Sequence, residues 1–353
     1  MLRKSARLTG ALRHHSFRRH GSTVSAAVCT KIGAPLELQT GLPSEPLSKG
    51  QVRVKVAAAG VNFADVLKAR GQYQEKTDPP FVPGNELSGE VSEVGDGVGH
   101  LKIGDKVVCL NRGGAYASEA VADARTCLKL PASFKPDLAD AAGLLVNYGT
   151  AHLALTSRAN LRAGQSVLVT AAAGGVGLAA VELASLLGAS QVIPAAGSDA
   201  KLALAASKGA LDGGINYTGL DAKSFRAQLK ECAGERGVDV VVDMVGGDLL
   251  EASVRSLNWN GTAVVIGFAA GPIPKIPANI LLVKNVAVSG LFWGAHLMHD
   301  PKTLMTSAQQ LIEWWASGEI APHICARYGL GEVNDAFQLI DSRGSTGKIL
   351  IMP

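Results

Sequence analysis

The most constraining stretch of this chain is Ser166-Val-Leu-Val-Thr-Ala-Ala172, which runs into Ala173-Gly174-Gly175-Val176-Gly177 and then Leu178-Ala-Ala-Val-Glu-Leu-Ala184. An apolar run, a glycine turn and an Ala/Leu-rich run predict a buried strand, a tight bend and a helix packed back on the strand. Residues 163–181 carry no charge, close to the ~20 residues that a bilayer crossing needs. Gly164, Gly174, Gly175 and Gly177 interrupt them, however, and no other segment is long enough, so no membrane association is expected. Read against G-x-G-x-x-G, the window 172–177 has Ala172 in the first glycine place and Gly174 and Gly177 in the others. The chemistry behind the pattern is backbone that approaches a pyrophosphate with no Cβ in the way, and helix amides that receive its charge.

A lone glycine motif is weak, so its context decides. Apolar runs at about 166–172, 191–196, 213–217, 238–245, 262–268 and 286–292 alternate with helical segments or long connections. Such alternation predicts a doubly wound parallel sheet buried on both faces, of the Rossmann type, and within it a dinucleotide site using Gly174, Gly175, Val176 and Gly177. Val245-Gly246-Gly247 and Ile266-Gly267-Phe268 fall at strand ends, where open α/β sheets bind ligands, so Val245, Gly267 and Phe268 join the candidates.

The first half is written differently. Val52, Val54 and Val56 alternate with Arg53 and Lys55, and short strands are expected near 90–94, 106–110 and 115–121, punctuated by Pro79, Pro80, Pro83, Gly84, Gly95, Gly97 and Gly104. This predicts a small, partly open antiparallel barrel. Residues 139–155 read as helix, and the chain ends on a strand at Lys348–Met352. The simplest arrangement is a parallel-sheet domain at 149–293 inserted between a barrel domain at 26–148 and a return to that domain at 294–353.

Charge is concentrated at the start. Arg3, Lys4, Arg7, Arg13, Arg18 and Arg19 precede any acid, the first being Glu37; without those six charges the formal net charge falls from +4 to −2. Residues 1–20 therefore have the composition of a mitochondrial transit peptide and predict a matrix location. The near-neutral body gives no electrostatic case for nucleic acid. Five Cys with no Cys-x-x-Cys pair exclude a zinc ribbon and a disulfide scaffold.

The cofactor is chosen at the end of the second parallel strand, where an NAD site expects an acid on the ribose. Here Ala195-Ala196-Gly197-Ser198-Asp199-Ala200-Lys201 has no acid at the strand end, while Ser198 and Lys201 suit a 2′-phosphate, so NADPH is expected. Asp199 is either a ribose ligand one residue out of register or the cap of the next helix.

Ala58-Ala-Gly-Val-Asn62-Phe-Ala-Asp65, Arg70-Gly-Gln-Tyr73 and Pro83-Gly84-Asn85-Glu86-Leu-Ser-Gly89 precede the glycine run. In that combination and order the chain resembles the quinone oxidoreductase (zeta-crystallin) branch of the medium-chain dehydrogenase/reductase superfamily. It looks most like the quinone oxidoreductase-like protein 2 group. The resemblance covers nearly everything beyond the leader and implies a GroES-like barrel, a Rossmann domain, a cleft between them and a homodimer through the last parallel strand. It also implies that Asn62, Tyr73 and Thr150 line the nicotinamide end of the cleft, and that Lys201, Tyr217 and Arg343 surround the 2′-phosphate.

Alcohol-dehydrogenase relatives hold a catalytic zinc with a Cys, the His of a Gly-His-Glu run and a later Cys. The matching places here are Asn62, Gly84-Asn85-Glu86, and a stretch at Leu144–Val146 without Cys. Asn and one Glu do not replace thiolate and imidazole, and His296-x-x-His299-Asp300 is better read as surface residues, so no metal is expected. Without a Lewis acid, an alcohol is a poor substrate. The expected reaction is hydride transfer from NADPH to a quinone or an α,β-unsaturated carbonyl. The alternatives are a mitochondrial enoyl-thioester reductase, or a non-catalytic NADPH-binding protein with a possible RNA-binding role.

Overall fold

The computed structural model describes residues 23–210 and 213–353; the basic leader at 1–20 lies outside them. Six parallel strands, Ser166–Thr170, Gln191–Ala196, Ile215–Asn216, Val238–Asp243, Leu257–Val265 and Ala287–Gly290, form one sheet. Numbered in chain order, they lie side by side as 3-2-1-4-5-6, so the strand order reverses beside the first strand, where this architecture binds dinucleotides. Val167, Val169, Val240, Val242 and Val264 are buried against helices on one face, and Leu168, Ile193, Ile215, Val241 and Ala263 on the other. Burial on both faces is why these runs are continuously apolar rather than alternating.

The barrel sheet is built from Gln51–Val61, Glu86–Val94, Lys106–Leu110, Glu119–Asp123, Cys127–Lys129, Ile324–Gly329 and Lys348–Met352. Its central pair is antiparallel, Gln51–Val61 against Glu86–Val94, with the Val52, Val54 and Val56 face buried. A strand expected at 115–121 starts only at Glu119. Ala115 and Tyr116 donate backbone hydrogen bonds to Gly84 and Pro83 instead, and pairing with Gln51–Val61 runs from Lys55↔Glu119 to Gln51↔Asp123. The helix expected at 139–155 divides into a short tight turn, Asp140–Gly143, and the helix Leu145–Leu153.

That helix is one of two crossings between the domains; the segment after the helix Pro301–Ser317 is the other. Leu304, Ala308, Leu311, Ile312 and Trp315 of Pro301–Ser317 share a core with Val167, Val169 and Leu178 of the parallel-sheet domain. The chain rejoins the barrel sheet at Ile324–Gly329, which pairs in parallel with Lys348–Met352. Glu182, on the helix Gly175–Leu186, bonds both crossings: it accepts from the Tyr148 hydroxyl and from the Ala321 amide. No helix of the described residues is long and apolar enough to cross a membrane.

Candidate active site

The glycine turn leaves the end of the first parallel strand. Ala171 is held at φ +47°, a left-handed conformation that costs a non-glycine residue about 1 kcal/mol or more. Gly174, at φ −73°, then caps the helix Gly175–Leu186. The glycines differ in what surrounds them. A Cβ on Gly177 would stand 2.2 Å from the Ala171 carbonyl oxygen and 2.8 Å from Ala172 Cα, so this glycine lets the helix press on the strand. On Gly175 it would meet Asn147 Nδ2 at 2.3 Å. On Gly174 it would meet one atom, the Ala171 carbonyl oxygen at 3.3 Å, a far milder contact that leaves the rest of that side of the turn clear. The first amides of the helix have no partner a turn earlier and are free for an anion. An open glycine before a helix N-terminus, with a packed glycine inside it, fits a pyrophosphate.

Ser198, Lys201, Tyr217 and Arg343 lie together at the end of the second strand. Ser198, and not Asp199, caps the helix Asp199–Ala206, accepting from the Lys201 amide at 3.4 Å. Asp199 instead accepts from Asn216 Nδ2 at 2.9 Å, so the carboxylate already has a partner and the strand end itself carries no acid. Lys201 Nζ donates to the Arg343 carbonyl at 2.6 Å. Arg343 sits at φ +57° just beyond the helix Val333–Asp341, and the Arg70–Asp341 ion pair ties that helix end to the barrel. Tyr217 is half-buried, and burial raises its phenol while the nearby Arg343 charge acts the other way.

At the fourth strand, Asp243 is fully buried and accepts from the Thr170 hydroxyl and the Gly246 amide, both at 2.7 Å. Burial raises its carboxyl. It fixes the turn containing Val245, whose Gly246 lies at φ +74° with Phe268 against it. Val245, Gly267 and half-buried Phe268 therefore flank one another. Sequence reasoning passed over Asp243, although an acid that closes the apolar run Val240–Val242 at the carboxyl end of its strand is a readable signal.

The barrel side is built round a buried ion pair. Lys348 and Glu86, at 2% and 1% side-chain exposure, are bonded to each other. Lys348 Nζ also donates to Asn62 Oδ1 at 2.7 Å, and Asn62 Nδ2 donates to Glu86 Oε1 at 3.0 Å. The other Glu86 oxygen accepts the Val146 amide at 2.9 Å. The positions that match the zinc ligands of alcohol dehydrogenases are thus two amides, Asn62 held by Lys348 and Glu86 and Asn85 donating to Asp65 Oδ1 at 2.9 Å, and a stretch at Leu144–Val146 without Cys. No thiolate or imidazole is among them, so this donor set does not fit a zinc ion. Among the described residues no group of three or more His, Cys, Asp or Glu is placed to hold a metal. His296 lies against the Trp293 carbonyl, and Asp300 caps the helix Pro301–Ser317.

Lys348 also joins the two halves of the site. Its neighbour Gly347, at φ +82°, donates its amide to the Ala173 carbonyl at 2.9 Å and bridges to Gly174. The phosphate turn and the Asn62 cluster are therefore one residue apart along the final strand. Asn62 caps the helix Phe63–Ala69 together with Asp65, whose Oδ2 accepts the Asn62 amide at 2.9 Å. Asp65 is fully buried, and burial pushes its carboxyl up to about 6 against the Tyr116, Asn62 and lysine interactions that hold it down.

Tyr73 enters through other contacts. Its ring is edge-on to Phe292 at 6.3 Å, with Lys68 Nζ 5.9 Å from its centroid. Burial and the charges of Glu75 and Asp65 push its phenol up to about 12, so it is a neutral hydrogen-bond donor at physiological pH. Thr150 is buried on Leu145–Leu153 next to Gly149, whose α-carbon is closely backed by the Trp293 indole.

Known proteins are similar to this chain in sequence and fold. The family model "Alcohol dehydrogenase GroES-like domain" matches residues 48–132, and "Zinc-binding dehydrogenase" matches 175–310. The quinone oxidoreductase-like protein 2 of Mus musculus is 43% identical over 336 residues, covering 95% of this chain and 94% of its own. A homolog from Nematostella vectensis is 44% identical, covering 92% and 88%. The crystal structure of the Escherichia coli quinone oxidoreductase complexed with NADPH superposes with a TM-score of 0.84 at 30% identity, covering 93% of this chain and all of that one. With its barrel, its parallel sheet and its sequence in agreement, the chain belongs to the quinone oxidoreductase-like protein 2 family of the medium-chain dehydrogenase/reductase superfamily, whose members are NAD(P)-dependent oxidoreductases.

Proposed function

We propose that the chain is an NADPH-dependent oxidoreductase that needs no zinc and reduces a quinone or an α,β-unsaturated carbonyl. The observation that carries this reading is the Asn62–Glu86–Lys348 cluster. It fixes the amide of Asn62 where alcohol-activating relatives need a metal ligand, and a second amide, Asn85, bonded to Asp65, stands where they need another, so the acceptor must be electrophilic already. Gly174, Gly175, Val176 and Gly177 are the residues for the pyrophosphate. Ser198, Lys201, Tyr217 and Arg343 suit the 2′-phosphate and its ribose, and Val245, Gly267 and Phe268 suit the remainder of the dinucleotide. When bound, the nicotinamide supplies a hydride.

The protein's share is orientation and exclusion of water. Lys348 and Glu86 lock both ends of the Asn62 amide, and Asn62 and Thr150 are buried. Tyr73 stays protonated and donates a hydrogen bond to the oxygen that gains charge. The acid-free, Arg-rich residues 1–20 support a mitochondrial matrix location. The Ala287–Gly290 strand ends the parallel sheet, and exposed Leu282 and Val283 precede it, which supports a homodimer through this edge. The test is NADPH oxidation with 1,2-naphthoquinone and with a crotonyl-thioester. Faster turnover of the quinone is expected. Preference for the thioester would favour an acyl-reductase role, and silence on both with intact NADPH binding would favour a binding protein.

A further inference from the structure

Lys68 lies on the buried face of the helix Phe63–Ala69 and is 7% exposed. Its stem is packed away, but its ammonium is not one of the side-chain atoms sealed from solvent without a partner, so water reaches its donors. Two other buried cations of the described residues, Lys348 and Arg53, and the partly buried Lys208 have protein acceptors. Lys348 binds Glu86 and Asn62, Arg53 binds Glu93 and the Glu45 carbonyl, and Lys208 binds Glu182 and the Ala321 carbonyl.

Among the described residues, Lys68 has no acid within salt-bridge distance and no hydrogen-bond acceptor; its one close partner is the Tyr73 ring. The acid whose charge reaches it, Asp65, is committed elsewhere. Asp65 Oδ2 accepts from the Tyr116 hydroxyl and the Asn62 amide, and Oδ1 from Asn85 Nδ2, all at 2.9 Å. Glu75, whose charge reaches Tyr73, forms no salt bridge with Lys68. A cation–π contact contributes only about 0.5–2 kcal/mol, so the ammonium keeps donors that no protein group takes and that an anion entering the seam can take from water.

The surroundings say what shape such a partner has. Tyr73 meets Phe292 across the seam between the barrel and the 292–298 segment. Phe292 and Met298 of that segment are 45% and 52% exposed, and Arg112 of the barrel places Nη2 3.1 Å from Met298 Sδ. Exposed apolar side chains and one guanidinium therefore border the Lys68–Tyr73 contact.

We propose that Lys68 determines specificity at the acceptor site, selecting planar acceptors that carry an anionic oxygen, such as an ionised hydroxyquinone, over neutral rings of the same shape. This rests on the reading of the cleft as a quinone or enone site. The ring covers the aromatic rim, and the anionic oxygen takes the unused ammonium donors.

The experiment is equilibrium binding to the protein saturated with NADP+, followed by tryptophan fluorescence, so that no turnover is needed. The probes are 2-hydroxy-1,4-naphthoquinone, ionised at neutral pH, and its neutral 2-methoxy ether. Wild type is expected to bind the ion about tenfold or more tightly than the ether. Lys68→Met should abolish that ratio with the ether affinity unchanged, and Lys68→Arg should keep it. A wild-type ratio near one, or the same ratio in Lys68→Met, overturns the proposal while ether binding leaves the acceptor site standing. If the ether does not bind and no quinone accelerates NADPH oxidation, the acceptor reading falls; Lys68-dependent binding of the ion would then still support an anion subsite. If neither ring binds the wild type, both fall. Should Lys68→Met fail to fold, the wild-type ratio and its retention in Lys68→Arg decide.

Discussion

Alanine at Gly174 and at Gly177 should fail in different ways, because the two glycines serve different neighbours. At Gly177 the added carbon stands 2.2 Å from the Ala171 oxygen and 2.8 Å from Ala172 Cα. Both atoms are backbone, so no side chain can turn away. Carbon and oxygen need roughly 3.3 Å, so the helix must lift by about 1 Å, and overpacking of this kind costs about 1–3 kcal/mol. The lift also carries the helix amides off the phosphate site. Gly177→Ala is therefore expected to lower the melting temperature and weaken NADPH together. At Gly174 the nearest atom is 3.3 Å away and φ is −73°, which alanine adopts without strain. Its Cβ projects into the side of the turn proposed to receive the pyrophosphate. Gly174→Ala is expected to lower the melting temperature far less than Gly177→Ala and to weaken NADPH about tenfold to a hundredfold, about 1.4–3 kcal/mol. Thermal denaturation paired with a fluorescence titration of NADPH reads both quantities. If Gly174→Ala binds normally, or loses stability as Gly177→Ala does, this assignment of the turn is wrong.

Three other outcomes follow from the same geometry. Lys201→Ala should weaken NADPH by about tenfold or more and leave NADH unchanged; equal loss for both in paired titrations would remove Lys201 from the 2′-phosphate site. Glu86→Gln strands the Lys348 charge and should cost about 3–5 kcal/mol in urea denaturation, with much of it recovered in Glu86→Leu/Lys348→Met; a loss below about 1 kcal/mol would contradict the pair's role. Asp65, raised by burial to about 6, holds its proton in the folded state at pH values where the unfolded chain has lost it. Its contribution is full below about pH 4 and lost as pH rises through about 6. The stability of wild type relative to Asp65→Asn should therefore fall over that window, and a flat difference would refute it.

The inner strands of the parallel sheet, Ser166–Thr170, Gln191–Ala196 and Val238–Asp243, were legible because they are buried on both faces and announce themselves locally, whereas the edge strand Ala287–Gly290 is only half-buried to exposed. Gln191–Ala196 and Lys106–Leu110 fall where the apolar runs put them. Other elements carry no such mark. The hairpin Thr23–Val28 with Glu37–Pro43 is largely exposed along its second strand, and Ile324–Gly329 is only half-buried, so neither has a clear period. Pro301–Ser317 shows an apolar stripe, which says that it is buried but not against which domain. Glycines of the phosphate turn could be read because their chemistry is contiguous. The Lys348–Glu86 pair could not, since its members are 262 residues apart and a lysine opening a terminal strand looks like any surface lysine. Lys68 was hidden for a related reason: a sequence shows a charge but not whether the fold supplies its partner.

The central claim is direct hydride transfer in a site whose own residues leave no place for zinc. The most direct measurement is turnover of an α,β-unsaturated ketone with NADPH deuterated at C4 of the nicotinamide, on protein whose metal content is measured in the same sample. The account predicts deuterium at the β-carbon of the product, with full activity at far less than one zinc per chain and after chelation. Product free of cofactor-derived deuterium with both C4 positions tested, or activity that rises and falls with stoichiometric zinc, would contradict it.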